Sequence, residues 1–402
     1  MSSPARAALT ALVSALALAC GPQTPPPGRH TPPPIVAPQP SAEAPAAAPQ
    51  VEPRPRRPIC DDAADALARA RQRLAPARGA PSPLGDLSAL LALLTAVDAD
   101  LQTHTADAQI AALLRASEAS AEIDAIAAID AAIARWWREQ LRRAADDKRE
   151  RPALVDAWHL AECGYELMSP ALADALAAEE LAAGIAAAFA DGRRAIADDK
   201  PDLALALAID RQRVEKRFLT AAHRELLKQA GLARGGDRLA ARRAAAAFAL
   251  LADRLESKNT PAIARIDAML AGPPEQVDPA LIGREVAVAI AKRTRKYCSE
   301  SAGEGMPGTL PGRAAAVEGA TYARLLAPDM EARLAGRGFD RAAHLAAWDA
   351  FVVAVEEGED AAEVKRLSDE LVHWNCAYQE ALGIRECTAS QDEIAAPAAP
   401  AP

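Results

Sequence analysis

The chain has 402 residues and a formal net charge of −9; half of its residues are hydrophobic, but only 3% are aromatic. Alanine supplies most of the apolar residues, which favours closely packed α-helices over sheets, since sheets are rich in Val, Ile, Phe and Tyr. The first 59 residues carry five Arg and two Glu, so the acidity lies in the rest of the chain. An acidic body excludes the basic surface that nucleic-acid binding requires.

The first twenty residues, MSSPARAALTALVSALALAC, are typical of a bacterial export signal. Arg6 is followed by thirteen apolar or small residues, 7–19. Thirteen helical residues rise about 20 Å, whereas the hydrocarbon core of a bilayer is about 30 Å thick. The stretch therefore predicts a signal peptide rather than a membrane span.

The sequence Ala17-Leu18-Ala19-Cys20-Gly21 resembles the lipobox of bacterial lipoproteins, with Ala17 at the position where that class usually carries Leu. The resemblance implies that residues 1–19 are removed and that Cys20 is lipidated and becomes the new N-terminus. It also implies export across the inner membrane and an acyl anchor in the envelope, at the outer membrane facing the periplasm or at the cell surface. An ordinary signal peptide is the alternative, because Ala17-Leu18-Ala19 also fits a general cleavage site.

Residues 20–59 predict a disordered, Pro-rich tether, since fourteen prolines stand between residues 21 and 59. Such a tract cannot sustain a helix or a strand, and it extends as polyproline II at about 3.1 Å per residue. It would hold the folded part away from the bilayer. At the other end of the chain, the Ala- and Pro-rich residues 388–402 predict a disordered tail.

Residues 60–387 predict an all-α body, a multi-helix bundle or a layered helical array. One apolar stripe recurs at steps of three and four residues and should face the core; it comprises Ile126, Ile129, Ile133, Trp137 and Leu141. The mixed charges of residues 211–217, RQRVEKR, are typical of a solvated helix face. A Gly- and Pro-rich stretch, residues 301–313, is the expected interior break.

Five tetrapeptides with proline in second place predict helix starts, because proline at the first helical position gives up an amide that has no partner within the helix. They begin at Arg151, Ser169, Lys200, Thr260 and Asp278.

Two distant segments repeat one pattern: WHLAECGYE at 158–166 and VHWNCAYQE at 372–380. A carboxylate three residues before a His is the spacing by which helix bundles present metal ligands, and thiolates favour zinc or copper. The alternative function is thus a transition-metal or haem protein whose ligands are Asp156, His159, Cys163, Glu370, His373 and Cys376. On a helical wheel, however, both His residues lie with the charged side chains and away from the apolar stripe, which favours a structural role.

Five cysteines remain if Cys20 is lipidated. In an oxidising envelope we expect two disulfides and one free thiol; the candidates are Cys60, Cys163, Cys298, Cys376 and Cys387. Fifteen arrangements are possible. Cys376 with Cys387 would follow from a chain reversal at Gly383, Cys60 and Cys298 both lie at predicted helix ends, and the repeated segments suggest Cys163 with Cys376.

No G-x-S-x-G, H-E-x-x-H, C-x-x-C, C-x-x-C-H or Walker A sequence occurs. Gly303, Gly305 and Gly308 match G-x-G-x-x-G, but that pattern indicates phosphate binding only between a strand and a helix, whereas here a helix is expected before it and Pro307 interrupts it. We therefore expect a lipid-anchored envelope protein that binds or scaffolds, with no catalytic activity evident in the sequence and no cofactor; an enzyme whose active site follows no known sequence pattern is a further alternative. Its expected partners are the membrane, through the acyl chains, and envelope proteins or cell-wall material.

Overall fold

The structure, a computed structural model, describes residues 58–73, 86–116, 119–177, 181–358 and 360–388. The predicted signal peptide, Cys20, the tether up to residue 57 and the tail from residue 389 lie outside these residues. Thr388, which we assigned to the disordered tail, is described: it is buried and hydrogen-bonded to Gln379. The described body thus includes one residue that we place in the tail, and at its other end α1 includes Pro58 and Ile59, which we place in the tether; both predicted boundaries are wrong by one or two residues.

Within those ranges every regular element is helical, as the composition predicts. The first helices are α1 (Pro58–Arg73), α2 (Ser88–Leu101), α3 (Ala106–Arg115), α4 (Ala119–Ala144), α5 (Arg151–Met168), α6 (Ala173–Ala177) and α7 (Leu181–Ala197). They are followed by α8 (Leu203–Arg234), α9 (Arg238–Ala249), α10 (Ala252–Glu256), α11 (Thr260–Ala271), α12 (Pro279–Ser301), α13 (Leu310–Arg333), α14 (Arg341–Glu357) and α15 (Ala361–Ala381). None of these helices is both long enough and apolar enough to cross a bilayer.

Three of the five proline tetrapeptides begin α-helices, namely α5, α11 and α12. Ser169 instead begins a single 3-10 turn, and the tetrapeptide at Lys200 precedes α8 by a short turn. Aspartate caps several other helices. Asp237, Asp340 and Asp360 each accept a hydrogen bond from a backbone N–H of the first turn. That bond satisfies one of the amides that a helix start leaves unpaired.

Helix α8, the longest of these helices, packs against α4, α7, α9, α12 and α13. The predicted apolar stripe of α4 lies in this core; its five side chains are at most 5% exposed. Trp136 is buried beside Trp137, and it donates a hydrogen bond to Asp100. The periodic pattern of the sequence therefore identified the buried face of α4 correctly.

The large rings are accommodated by glycines on facing helices. Trp158 of α5 is fully buried, and a Cβ atom at Gly192 of α7 would overlap its indole ring. In the same way, a Cβ at Gly319 of α13 would lie 2.8 Å from the ring of Trp348 on α14. These glycines are required for close approach rather than for backbone conformation.

The predicted interior break is a loop between α12 and α13, and it is shorter than expected because α13 begins at Leu310. The loop is tied to α14, since the Gly308 amide donates to the carbonyl of Val355 at 2.8 Å. Helices α12 and α13 on either side of it pack along each other.

Replacing Gly192 with Ala should lower the free energy of unfolding by about 1–3 kcal/mol, because the added methyl group overpacks the core at Trp158. Gly231→Ala is the matched control: Gly231 is also helical, but its Cβ would have no neighbour within 4 Å. The control should raise the free energy of unfolding by up to about 1 kcal/mol, since alanine favours a helix. Urea unfolding followed by circular dichroism measures both variants. Equal stabilisation by the two substitutions would contradict the packing of α7 on Trp158.

Candidate functional site

The two repeated segments lie on α5 and α15, and the structure gives their cysteines other partners. Cys163 is bonded to Cys60, and Cys376 is bonded to Cys387. The pairing of Cys163 with Cys376, which the repeat suggested, is therefore not formed. Similar local sequence does not bring two helices together, because their positions are set by the packing of all the others.

The remaining candidate metal ligands lie mainly at the surface. Asp156, Glu370 and His373 are exposed, and His159 is half-buried. Among the described residues, no three His, Cys, Asp or Glu side chains are grouped so as to hold a metal ion. With both sulfurs engaged in disulfides, the donor set that motivated the metal or haem alternative is not assembled.

One disulfide lies in the N-terminal half of the described chain and the other near its C-terminal end. Cys60 lies in the first turn of α1, and its bond to Cys163 of α5 spans 103 residues. The bond from Cys376 of α15 to Cys387 spans 11 residues and closes the loop that follows that helix, as the chain reversal at Gly383 predicted. The fifth cysteine, Cys298, is free and buried. Burial raises the pKa of its thiol to about 12, so it is not a reactive nucleophile.

A cluster of charged side chains is buried where α8 meets α10 and α13. Glu215 and Lys216 are adjacent on α8 and only 1% and 2% exposed. Arg254 of α10 forms an ion pair with Glu215. The Lys216 ammonium lies 2.7 Å from a carboxylate oxygen of Glu318 on α13 and 3.5 Å from Glu215. We expected residues 211–217 to form a solvated face, and this expectation is wrong for its two central charges.

Aromatic rings and a further arginine extend the cluster. The ammonium of Lys216 lies 5.1 Å from the ring centroid of Tyr322, which stacks on Tyr297 with centroids 6.2 Å apart. The face of an aromatic ring attracts a cation, most strongly where water is excluded. From α4, Arg138 donates to Asp253 at 2.8 Å and thereby ties a fourth helix to α10.

The neighbouring charges in this cluster keep both Glu215 and Lys216 ionised. Burial alone would raise the pKa of Glu215, but the positive charges of Lys216 and Arg254 outweigh burial and hold it well below its ordinary value. Burial alone would lower the pKa of Lys216, but the carboxylates of Glu215 and Glu318 hold it above its ordinary value. Neither group is poised to exchange a proton near neutral pH. The cluster is therefore suited to fixing helices rather than to acid–base catalysis.

A cleft of about 530 Å³ lies between α11, α12 and the disulfide-closed loop 382–388. Three residues spaced by four along α12 line it, namely Arg284, Val288 and Lys292. This spacing places them on one face of the helix. Arg265 and the loop residue Arg385 complete a predominantly basic lining.

One carboxylate, Glu285, is shared among several donors at this cleft. It lies 2.9 Å from Arg265 and 3.4 Å from Arg284, and the Asn259 amide donates to it at 2.7 Å. Its charge is therefore committed within the protein. Sequence reasoning missed this site because its lining comes from three separate segments; the only local signal was the run of basic residues along α12.

The loop that carries Arg385 is held rigidly. The Gln379 side chain forms two 3.0 Å hydrogen bonds with the backbone of Thr388 and a third, at 2.8 Å, to Asn375. Asn375 in turn donates to the carbonyl of Ala291 on α12 at 3.0 Å. The Cys376–Cys387 disulfide closes the same loop covalently. The loop is thus tied to α15, and α15 is in turn hydrogen-bonded to α12. These contacts fix the backbone at Arg385 relative to α12.

The cysteine pairing predicts a single thiol in the body. Unreduced, denatured protein should release one equivalent in a thiol assay, from Cys298, and native protein should release none because that thiol is buried. Peptide mapping of unreduced protein should recover the two linkages found here. Linkage of Cys163 to Cys376 would contradict the structure.

Removing the long-range disulfide should destabilise the body. The Cys60→Ala/Cys163→Ala variant should lose about 2–5 kcal/mol in urea unfolding, and the corresponding change at Cys376 and Cys387 should cost less because its loop is shorter. Cys298→Ala is the control that keeps both disulfides. A double variant of Cys60 and Cys163 as stable as this control would show that the bond does not stabilise the fold.

Breaking the buried charge cluster should be costly. Glu215→Gln should lower the free energy of unfolding by about 3–5 kcal/mol, because it leaves Lys216 and Arg254 short of a buried counter-charge. Glu363→Gln, which removes the partner of Arg366 at the surface, is the control and should have almost no effect.

The same variant should change the acid sensitivity of the protein. The pKa of Glu215 is lower in the folded chain than in the unfolded chain. The contribution of ionised Glu215 to the free energy of unfolding is therefore complete above the unfolded-chain pKa of about 4.3. It is lost progressively as the pH falls below that pKa. Wild-type protein should lose more stability than Glu215→Gln between about pH 5 and pH 3. Parallel losses in the two proteins, measured by urea unfolding at each pH, would refute the assignment.

Comparison with known proteins places this chain in no established family. No family model matches its sequence, and neither a curated protein nor a solved structure shows significant similarity to it.

Proposed function

We propose that this chain is a lipid-anchored protein of the bacterial cell envelope, whose helical body binds or scaffolds other envelope components. The N-terminal sequence supports the anchor, because Cys20 follows a signal-like apolar stretch in a lipobox-like context. Residues 20–57 act as the tether between the acyl chains and the body, whose first helix begins at Pro58.

The observation that carries the proposal is the state of the cysteines. Four of the five cysteines after Cys20 form disulfides, one across 103 residues and one across 11. Structural disulfides persist outside the reducing cytosol. Their presence supports export, which the N-terminal sequence indicates on independent grounds.

The position of the first disulfide suits a tethered protein. Cys60 is the third residue of α1, so the bond to Cys163 lies directly after the proline-rich stretch. Any force transmitted through the tether would reach a covalent crosslink within the body before it could unwind α1. A crosslink at that position would resist the unwinding of α1, the helix that directly follows the tether.

We assign binding or scaffolding rather than catalysis because the sequence carries no recognisable catalytic pattern and the charges buried around Glu215 and Lys216 are paired with each other. The Glu215–Lys216 cluster fixes helices, and the thiol of Cys298 is buried with a raised pKa. The partners that we propose are an envelope protein or cell-wall material. The net charge of −9 argues against nucleic acid.

Anchoring is tested by expressing the chain in a bacterial host with a radiolabelled fatty acid. The wild-type protein should incorporate the label and sediment with membranes, whereas Cys20→Ala should do neither. Cys298→Ala is the matched control, since it removes a cysteine outside the signal region and should retain both properties. A Cys20→Ala protein that still partitions with membranes would contradict the acyl anchor.

The binding role is tested by crosslinking in intact cells followed by mass spectrometry of the captured complexes. A specific envelope protein or cell-wall fragment, captured reproducibly with wild type, supports the proposal. A purified body that captures neither but turns over a small substrate would contradict it.

A further inference from the structure

The cleft between α11, α12 and the loop 382–388 contains a lysine without a counter-charge. Lys292 is 1% exposed, yet its side chain lines the cleft. Its ammonium group has three N–H donors. Among the described residues, its one acceptor is the carbonyl oxygen of Lys258, at the long distance of 3.5 Å.

A buried cation is normally paired, because removing an ammonium group from water without compensation costs several kcal/mol. The nearby carboxylate that could have paired with Lys292 is Glu285, which is already shared by Arg265, Arg284 and Asn259. Burial and the adjacent Lys258 lower the pKa of Lys292, and Glu285 only partly opposes that effect. The protein therefore leaves this positive charge at the cleft without an ion pair and only partly compensated.

A second cation at the same cleft also lacks a partner. Arg385 is exposed on the loop, and the described residues provide neither an ion pair nor a hydrogen bond to its guanidinium group. The backbone that carries Arg385 is nevertheless held, since the Cys376–Cys387 disulfide and the Gln379 side chain tie the loop to α15. Glu386 is the one other carboxylate in the lining, and it is exposed to water. The lining thus presents a buried cation, Lys292, and an exposed cation at the rim, Arg385, whose loop backbone is held in place.

We propose that this cleft is a binding site for a phosphate group carried on a small organic molecule, with Lys292 and Arg385 as the residues that bind the phosphate. Lysine and arginine are the side chains that most often donate charge-assisted hydrogen bonds to phosphate in proteins. A phosphate group has enough oxygens to accept hydrogen bonds from both. The cleft volume of about 530 Å³ lies within the usual range for small-molecule sites. Val288 and Ile384 give part of the wall an apolar surface for the organic portion.

This proposal goes beyond the envelope function and does not depend on it, because it rests on residues of the body alone. Failure of the Cys20 experiment would leave the cleft intact, and failure of phosphate binding would leave the anchor intact.

The test is isothermal titration calorimetry on purified, full-length mature protein at low ionic strength. Inorganic phosphate and glycerol 3-phosphate are the two probes, and sodium chloride at matched ionic strength is the reference. We expect saturable binding of one equivalent of glycerol 3-phosphate with a dissociation constant below about 1 mM. Tighter binding of glycerol 3-phosphate indicates a phosphorylated organic ligand, whereas equal binding of the two probes indicates that the phosphate alone is recognised. Absence of saturable binding of both probes overturns the proposal.

Three variants identify the site. Lys292→Met keeps the side-chain volume and removes a buried unpaired charge, and Arg385→Gln alters an exposed side chain; each should weaken binding on the order of tenfold to a hundredfold. Lys296→Gln is the matched control, because Lys296 lies one turn further along α12, pairs with Glu300 and does not line the cleft. It should bind as wild type does.

Folding of each variant is checked by circular dichroism before titration. If Lys292→Met fails to fold, Arg385→Gln still decides the question, since its side chain is exposed. Undiminished binding in a folded Lys292→Met or in Arg385→Gln overturns the assignment of these residues.

Discussion

Two adjacent charges in the middle of α8 constrain the arrangement of the surrounding helices. Glu215 and Lys216 are both almost fully buried, and neither can be buried without a partner at an acceptable free energy. Helix α10 must therefore present Arg254, and α13 must present Glu318, at defined points along α8. Apolar contacts between alanine-rich helices are not directional, so the ion pairs supply a positional specificity that the apolar surface lacks.

The shortage of aromatic residues explains how the rest of the core is built. With 3% aromatic residues, a few large rings fill the spaces between helices, and small residues face them. Gly192 faces Trp158, and Gly319 faces Trp348. This complementarity of large and small side chains achieves close packing without bulky residues on every helix. As a result, substitutions should destabilise the fold most at the few positions where a glycine faces a large ring.

The disulfides and the cleft show how crosslinks can serve both stability and binding. The Cys60–Cys163 bond closes a long stretch of chain, and so it limits the conformations of the unfolded state most strongly. The Cys376–Cys387 bond closes a short loop. Its consequence is local: it fixes the backbone beside the cleft and sets the place of Arg385 relative to Lys292. A rigid loop of this kind reduces the entropy lost on binding.

The sequence by itself determined the helical class, the buried stripe of α4, three of the five proline-marked helix starts, the interior loop and the expectation of one unpaired cysteine. Each follows from the residue composition, from the number of cysteines or from the pattern of residues within a single segment. All of these can be read without knowing which segments come together in the fold. Only the tertiary structure decided which cysteines pair, since that depends on which helix ends meet. It also decided that Glu215 and Lys216 are buried, because a mixed-charge segment has the same local pattern whether its partners are water molecules or other helices. The basic cleft required three segments separated along the chain to converge, and no local pattern encodes the distance between segments that only packing brings together.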